Sequence, residues 1–304
     1  MRLLTRSDFD GLACAAILKD QGIIDHWKFV HPKDLQDGIV EVTDNDVLAN
    51  VPYVPGAAMW FDHHTSEEER VGWATGIPGE SRKEDSAARV IYEYYGGCEK
   101  MPYFEEMVKA VDLVDAGKLS REDILKPEGW VLLGFIMDPR TGLGRFREFR
   151  IPNYQLMEEL ITYIVRHDIA EVLALPDVRE RIDLYFEQDR LFREMVVAHT
   201  RTEDNVIVTD LRGVETIYAG NRFLIYSLYP EQNISVWIID GRNKLNVPIA
   251  VGHSILNRSS KTNVGELMLA YGGGGHPQVG TCQVDYDDAD GVIAAIVEKC
   301  RQDG

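Results

Sequence analysis

Asp8-Phe9-Asp10-Gly11 stands where a strand-like run, Arg2–Ser7, gives way to a small-residue helical segment, Gly11–Lys19. Alternate side chains of an extended segment point to one face, so Asp8 and Asp10 can address a single site. Paired carboxylates suit hard divalent cations such as Mn²⁺ or Mg²⁺, and Gly11 lets the backbone turn sharply beneath them. Equally, one aspartate can cap the helix while the other is solvated. Asp62-His63-His64 follows the apolar run Ala57–Phe61. Adjacent histidines on a strand face opposite ways, so one can bind a metal while the other meets substrate. Asp62 can orient an imidazole through its other N–H; the competing reading is a polar turn above a sheet. Asp112 and Asp115 lie in KAVDLVDAG. Either adds a carboxylate to an oxygen-and-nitrogen ligand set, although Asp115 reads more simply as a solvated acid at a helix end.

Gly272-Gly273-Gly274-Gly275-His276 is the most unusual string of the C-terminal half. Such a run marks a close approach by a ligand or another backbone, and its N–H groups can form an anion-binding nest beside His276. The competing reading, a flexible hairpin, carries less weight for this run. Asn257-Arg258-Ser259-Ser260 is a second candidate phosphate-contacting loop. Arg140, Arg145, Arg147 and Arg150 form a basic run, with Phe146 and Phe149 as stacking faces for an extended anion. A solvated loop paired to nearby acids explains that run more simply. His26, His31, His167 and His199 have no partners in sequence.

These residues must be positioned by something. The 304 residues suggest two domains by the loose rule of about 150 residues each. A 45% apolar content provides a core and excludes a disordered chain or a coiled-coil rod. Lys+Arg 32 against Asp+Glu 50 gives a net charge of −18, which repels duplex nucleic acid as a non-specific partner. A local cluster of cations can still reverse that field at one site. Cys14, Cys98, Cys282 and Cys300 show neither zinc-ribbon nor disulfide spacing. No bilayer-crossing run or signal-peptide core is evident, so a cytoplasmic protein without a membrane partner is expected.

Strand-like runs at Arg2–Ser7, Asp46–Val51 and Ala57–Phe61 alternate with helical stretches, including Glu84–Tyr95 before Gly96-Gly97. The pattern predicts an α/β fold: an N-terminal, mainly parallel sheet flanked by helices, with ligands beyond the strands' carboxyl ends. Asn153 to Thr200 is helical and charged, and Pro176 divides it into two helices that suit a linker or a homodimer contact. Strands at Val206–Val208, Val214–Tyr218, Ser235–Ile239 and Asn246–His253 come next, with helices at Val264–Ala270 and Asp287–Cys300. These form a smaller C-terminal α/β domain.

Taken in order, D-x-D-G, D-H-H, a later Asp and G-G-G-G-H resemble the DHH phosphoesterase superfamily with its C-terminal DHH-associated domain. The superfamily includes single-strand exonucleases, oligoribonucleases, cyclic-dinucleotide phosphodiesterases, exopolyphosphatases and family II pyrophosphatases. The resemblance implies a DHH domain over 1–150, a helical connector over 151–204 and a DHH-associated substrate-binding domain over 205–304, with the active site in the cleft between the two domains. It implies a two-manganese centre with Asp8, Asp10 and His63 as ligands. Asp112 would be a further ligand, with Asp115 as the alternative. His64, supported by Asp62, would contact the scissile phosphate. Gly273, Gly274, Gly275, His276 and Arg258 match the substrate-binding elements.

The chain departs from the family pattern at three positions. Leu4 and Arg6 stand where relatives carry histidines, and Asn50 falls where a metal-bridging aspartate is usual. Asp44 and Asp46 are nearby but precede the predicted strand, at its wrong end. One metal, or none, therefore stands as an alternative to two. The implied activity is metal-dependent hydrolysis of a phosphate ester or anhydride in an oligonucleotide, nucleotide or polyphosphate. The alternative is a catalytically degenerate protein that binds a phosphate ligand on the same scaffold.

Overall fold

A computed structural model describes residues 1–72 and 76–304. The chain forms two compact units, residues 1–118 with 126–185, and residues 119–125 with 186–304. The stretch 151–204 is thus divided between them. Among the described residues, no helix is long and apolar enough to cross a membrane.

The first unit is built on five strands: β1 (Arg2–Thr5), β2 (His26–Phe29), β3 (Asp46–Ala49), β4 (Met59–Asp62) and β5 (Gly79–Ser81). They lie in the order β2-β1-β3-β4-β5, and every pair is parallel. Leu3, Leu4, Val47, Leu48 and Phe61 are fully buried, because a sheet covered on both faces needs continuous apolar runs in its central strands. The helix Phe9–Asp20 is buried almost all round, and its FDGLACAAILK sequence leaves room for neighbours on several sides. It packs on the helices Ala87–Tyr94, Glu105–Asp115 and Asn153–Tyr163. A Cβ at Gly134, in the helix Gly129–Met137, would come within 2.8 Å of the Phe9 ring and 3.2 Å of Val114. That glycine is therefore required where the helices cross.

Beyond residue 151 there are three helices rather than two: Asn153–Tyr163, Ile169–Ala174 and Pro176–Ala198. Asp168 and Glu171 form a capping box that starts the middle one. Pro176 opens the last helix instead of breaking one, since the first helical position loses nothing by lacking an N–H.

The second unit is a mixed sheet of β6 (Thr200–Glu203), β7 (Val206–Asp210), β8 (Ile234–Ile238), β9 (Asn246–His253), β10 (Gly274–His276) and β11 (Val279–Asp285). The order is β10-β11-β9-β8-β7-β6, with β7 and β8 parallel and the other pairs antiparallel. The helix Ala289–Asp303 covers one face through Ile293, Ile296, Val297 and Cys300. Val214–Tyr218, read from sequence as a strand, is a loop. Both edges of β7 are already taken by β6 and β8, so this segment cannot pair with the strand that precedes it. Its apolar side chains Val214, Ile217 and Tyr218 pack instead on the cluster around Ile207, Leu224 and Ile225.

Candidate functional site

Parallel pairing brings the carboxyl ends of β1, β3 and β4 together, and the chain continues there into Asp8, Asn50 and Asp62-His63-His64. The two motif aspartates are not on one extended segment, contrary to the expectation from sequence. Asp8 is the N-cap of the helix Phe9–Asp20, accepting from the Gly11 N–H at 2.9 Å, and Asp10 lies in the first turn. Asp10 is 2% exposed and accepts from the Ala88 and Ala87 amides at 2.8 and 3.0 Å. These amides open the helix Ala87–Tyr94, whose N-terminus favours negative charge. Burial, reinforced by the Asp115 charge, nevertheless pushes the Asp10 carboxyl up to about 7.

His63 carries the most specific signal. Its Nδ1 lies 3.2 Å from the Glu84 carbonyl, which only accepts, so Nδ1 carries a proton and Nε2 is the nitrogen turned towards the carboxylates. Nε2 is buried with no hydrogen-bond partner, 3.3 Å from Asp115 Oδ2 and 3.7 Å from Asp10 Oδ2. The ligand atoms of Asp10, His63 and Asp115 lie within 4.8 Å of one another. With the ring neutral, Nε2 and the two carboxylates are three donor groups converging on one point, which a cation would draw together. The nitrogen-and-oxygen donor set, with a carbonyl fixing the imidazole from behind, fits Mn²⁺ or Mg²⁺.

The order of preference between the two helix aspartates is reversed. Asp112 accepts from Ser86 Oγ at 2.6 Å and from Arg89 Nε and Nη2 at 2.9 and 2.6 Å, so its oxygens are engaged in structure. Asp115, at the end of the helix Glu105–Asp115, stands with Asp10 and His63.

Asp8 is held differently. Its Oδ1 accepts from Gly11 N–H and from Asn50 Nδ2 at 3.1 Å, and its Oδ2 pairs with Arg6 Nε at 3.0 Å. Burial raises its pKa and the Arg6 charge opposes that. Asn50 adopts a left-handed φ of 56°, while its N–H reaches the Phe61 carbonyl at 3.1 Å. Leu4 sits in an apolar cluster with Leu35, Leu48, Val51, Ala57 and Trp60. Asp46 lies at the other end of the sheet, in register with Arg2 and bonded to its Nε and Nη2 at 2.6 and 2.8 Å.

Asp62 orients His64, with Oδ1 at 2.9 Å from Nδ1. Burial opposes the imidazolium, but the hydrogen bond and charge of Asp62 outweigh it, and the His64 pKa is raised. Asp62 Oδ2 is buried without a hydrogen-bond partner. Arg140, set aside in the sequence as part of a solvated loop, borders the same hollow as Asp8, Asp10 and Asp115. Its Nε is held at 2.8 Å by Asp138 Oδ1. Burial works against its charge, yet Asp138, Asp115 and Asp8 together raise its pKa. Two others of that run are occupied elsewhere: Arg150 pairs with Asp177, and Arg145 Nε donates to the Gly142 carbonyl. No local sequence signal separates Arg140 from its neighbours.

The chain matches no protein-family model and no curated protein. Among solved structures it is similar to the pGpG-specific phosphodiesterase PggH from Vibrio cholerae, with 47% identity over 100% of this chain and 99% of that one, and a TM-score of 0.88. The chain belongs to the DHH phosphoesterase superfamily. Two more distant DHH structures share the fold. The DHH domain of a member of the S1p family of ribosomal proteins has 14% identity and a TM-score of 0.62, over 98% of this chain and 85% of that one. RecJ from Thermus thermophilus, solved with Mn²⁺, has 14% identity and a TM-score of 0.54, over 99% of this chain and 52% of that one.

In the second unit of this DHH protein the glycine string is not a loop but half of a hairpin, β10 and β11 joined through Pro277-Gln278. A Cβ at Gly273 would meet the Thr281 carbonyl oxygen at 2.0 Å, and one at Gly275 the Val279 carbonyl oxygen at 2.3 Å. Both glycines thus admit a neighbouring backbone. Gly274 has open space around it. His276 and Arg258 are exposed, and Arg258 Nε donates to the Ile255 carbonyl at 3.1 Å. A hollow lined by His199, Arg201, Arg212 and Tyr286 offers no comparable ligand set, since Arg212 pairs with Asp210 and Asp290, and Arg201 with Glu203.

Proposed function

We propose that this DHH protein is a metal-dependent phosphodiesterase that hydrolyses a short linear dinucleotide of the pGpG class to mononucleotides. The observation that carries the reading is the 47% identity, over the whole chain, to a pGpG-specific phosphodiesterase. The net charge of −18 supports a small substrate, because each further phosphate adds long-range repulsion.

Asp10, His63 and Asp115 would hold Mn²⁺ or Mg²⁺. Such an ion supplies Lewis acidity at a phosphoryl oxygen and lowers the pKa of bound water. The chain does the rest. Asp62 fixes the His64 ring so that Nε2 is presented, and the raised pKa favours a protonated imidazole that donates to the phosphate or the departing 3′-oxygen. Arg140 and Arg6 bring fixed positive charge to a centre of buried carboxylates. In the DHH-associated part, Arg258 and His276 would bind phosphate, while the glycines shape the hairpin that carries His276. Water adds to phosphorus as the P–O3′ bond breaks, so pGpG and one water yield two GMP.

The test is chromatography of pGpG incubated with the purified protein and Mn²⁺, beside cyclic dinucleotide, longer RNA and polyphosphate. Conversion of pGpG to GMP, with Asp10→Ala inactive, is the expected result. Ligand binding without turnover of any of these would favour the degenerate alternative, which draws on Leu4 and Asn50.

A further inference from the structure

We propose that the centre takes a single divalent cation, at Asp10, His63 and Asp115, and that the Arg6 guanidinium on Asp8 is the fixed charge standing where a second cation would bind. The inference rests on the reading of this cluster as a metal centre and specifies its stoichiometry and charge.

Asp8 Oδ1 is already saturated with hydrogen bonds, and Oδ2 is held in an ion pair. An ionised carboxylate offers about two acceptor positions on each oxygen. Both positions of Asp8 Oδ1 are taken, by the Gly11 amide at 2.9 Å and by Asn50 Nδ2 at 3.1 Å. Oδ2 is paired with Arg6 Nε at 3.0 Å. A guanidinium cannot give up its proton in a protein, so it is a permanent cation that no change of pH removes. A second metal would have to displace Arg6 from Oδ2, or strand the Gly11 and Asn50 donors at Oδ1, and in either place would face the Arg6 charge at close range.

The surroundings supply no replacement ligand. Asn50 is 2% exposed, turns its N–H₂ towards Asp8 and is fixed by its own backbone bond to Phe61. Leu4 contributes only apolar surface. Among the described residues, one group of three metal-binding side chains exists, and Asp8 is not in it. The independent pointer to an ion there is His63 Nε2: its side chain is 9% exposed, and the atom is aimed at two carboxylates without a hydrogen bond.

The experiment counts manganese on the full-length protein, by elemental analysis after equilibrium dialysis and by electron paramagnetic resonance. Wild type should bind one Mn²⁺ per chain with the spectrum of an isolated ion. Asp8→Asn, which keeps a competent helix cap, should retain that ion. Asp115→Asn should weaken binding by more than about 100-fold while remaining folded by circular dichroism. The triple variant Leu4→His/Arg6→Gln/Asn50→Asp should gain a second, magnetically coupled ion. Two ions or none on wild type, or loss of the ion in Asp8→Asn, would overturn the proposal; the wild-type count needs no variant to fold. Because the count is read without substrate, it fails separately from the activity. One ion without pGpG turnover would sink the proposed function alone, and two ions with turnover would sink the stoichiometry alone.

Discussion

Exchanging Asp115 and Asp112 for asparagine, one at a time, separates a metal ligand from a structural anchor. The ligand oxygens of Asp10 and Asp115 lie within 4.8 Å of each other. Two unit charges at that distance repel by about 3–4 kcal/mol at an effective dielectric constant near 20. The Asp115 side chain is 26% exposed, and solvent and salt reduce the figure to about 1–2 kcal/mol. Metal-free Asp115→Asn should therefore melt roughly 2–8 °C above metal-free wild type at pH 8, where Asp10 is ionised. Saturating Mn²⁺ should reverse the order, because an ion present at 100 times its Kd stabilises wild type by about 2.7 kcal/mol and the variant by far less. Asp112→Asn behaves oppositely. It weakens an ion pair in which Arg89 Nε and Nη2 both donate to Oδ2, and a bond from Ser86 to Oδ1, which costs about 1.5–3 kcal/mol with or without metal and leaves the Mn²⁺-induced rise in place. Scanning calorimetry of the three proteins in chelator and in Mn²⁺ reads both effects. A full Mn²⁺-induced rise in Asp115→Asn, with its loss in Asp112→Asn, would refute the ligand assignment.

Asp10, raised to about 7 by burial and then by Asp115, keeps its proton in the folded metal-free protein at pH values where the unfolded chain has released it. Metal-free stability should therefore fall as pH rises from about 5 towards 7.5, and Mn²⁺ should abolish that fall; a flat melting profile in chelator would contradict it. His64→Gln should lower kcat by about 10²–10⁴-fold with the Mn²⁺ count unchanged, and turnover within tenfold of wild type would remove His64 from the chemistry. Gly275→Ala should destabilise the second unit by about 1–3 kcal/mol through its clash with the β11 backbone, whereas Gly274→Ala should stay within about 0.5 kcal/mol. Equal effects in urea unfolding would show that the hairpin relaxes around the added methyl.

Much of the molecule is legible in local sequence. Short apolar runs at Leu3–Leu4, Val47–Ala49 and Trp60–Phe61, alternating with helical stretches, read as strands covered on both faces, and parallel strands deliver the residues after them to one end of a sheet. Asp8, Asp10, His63 and the departure at Asn50 were readable for that reason. What tertiary structure decided is which atoms of those residues face one another. Asp112 and Asp115 share a helix face, and the docking of that helix sends one to Arg89 and the other to His63. Asp62 orients His64, and Arg6 claims Asp8, because side-chain directions at strand ends depend on neighbours far away in sequence. The glycine string announced a close approach without naming the approaching group, since a ligand and the β11 backbone exclude a Cβ equally well. Residue type limits the chemistry a position can perform; partners are chosen by packing, which brings together residues that no sequence window contains.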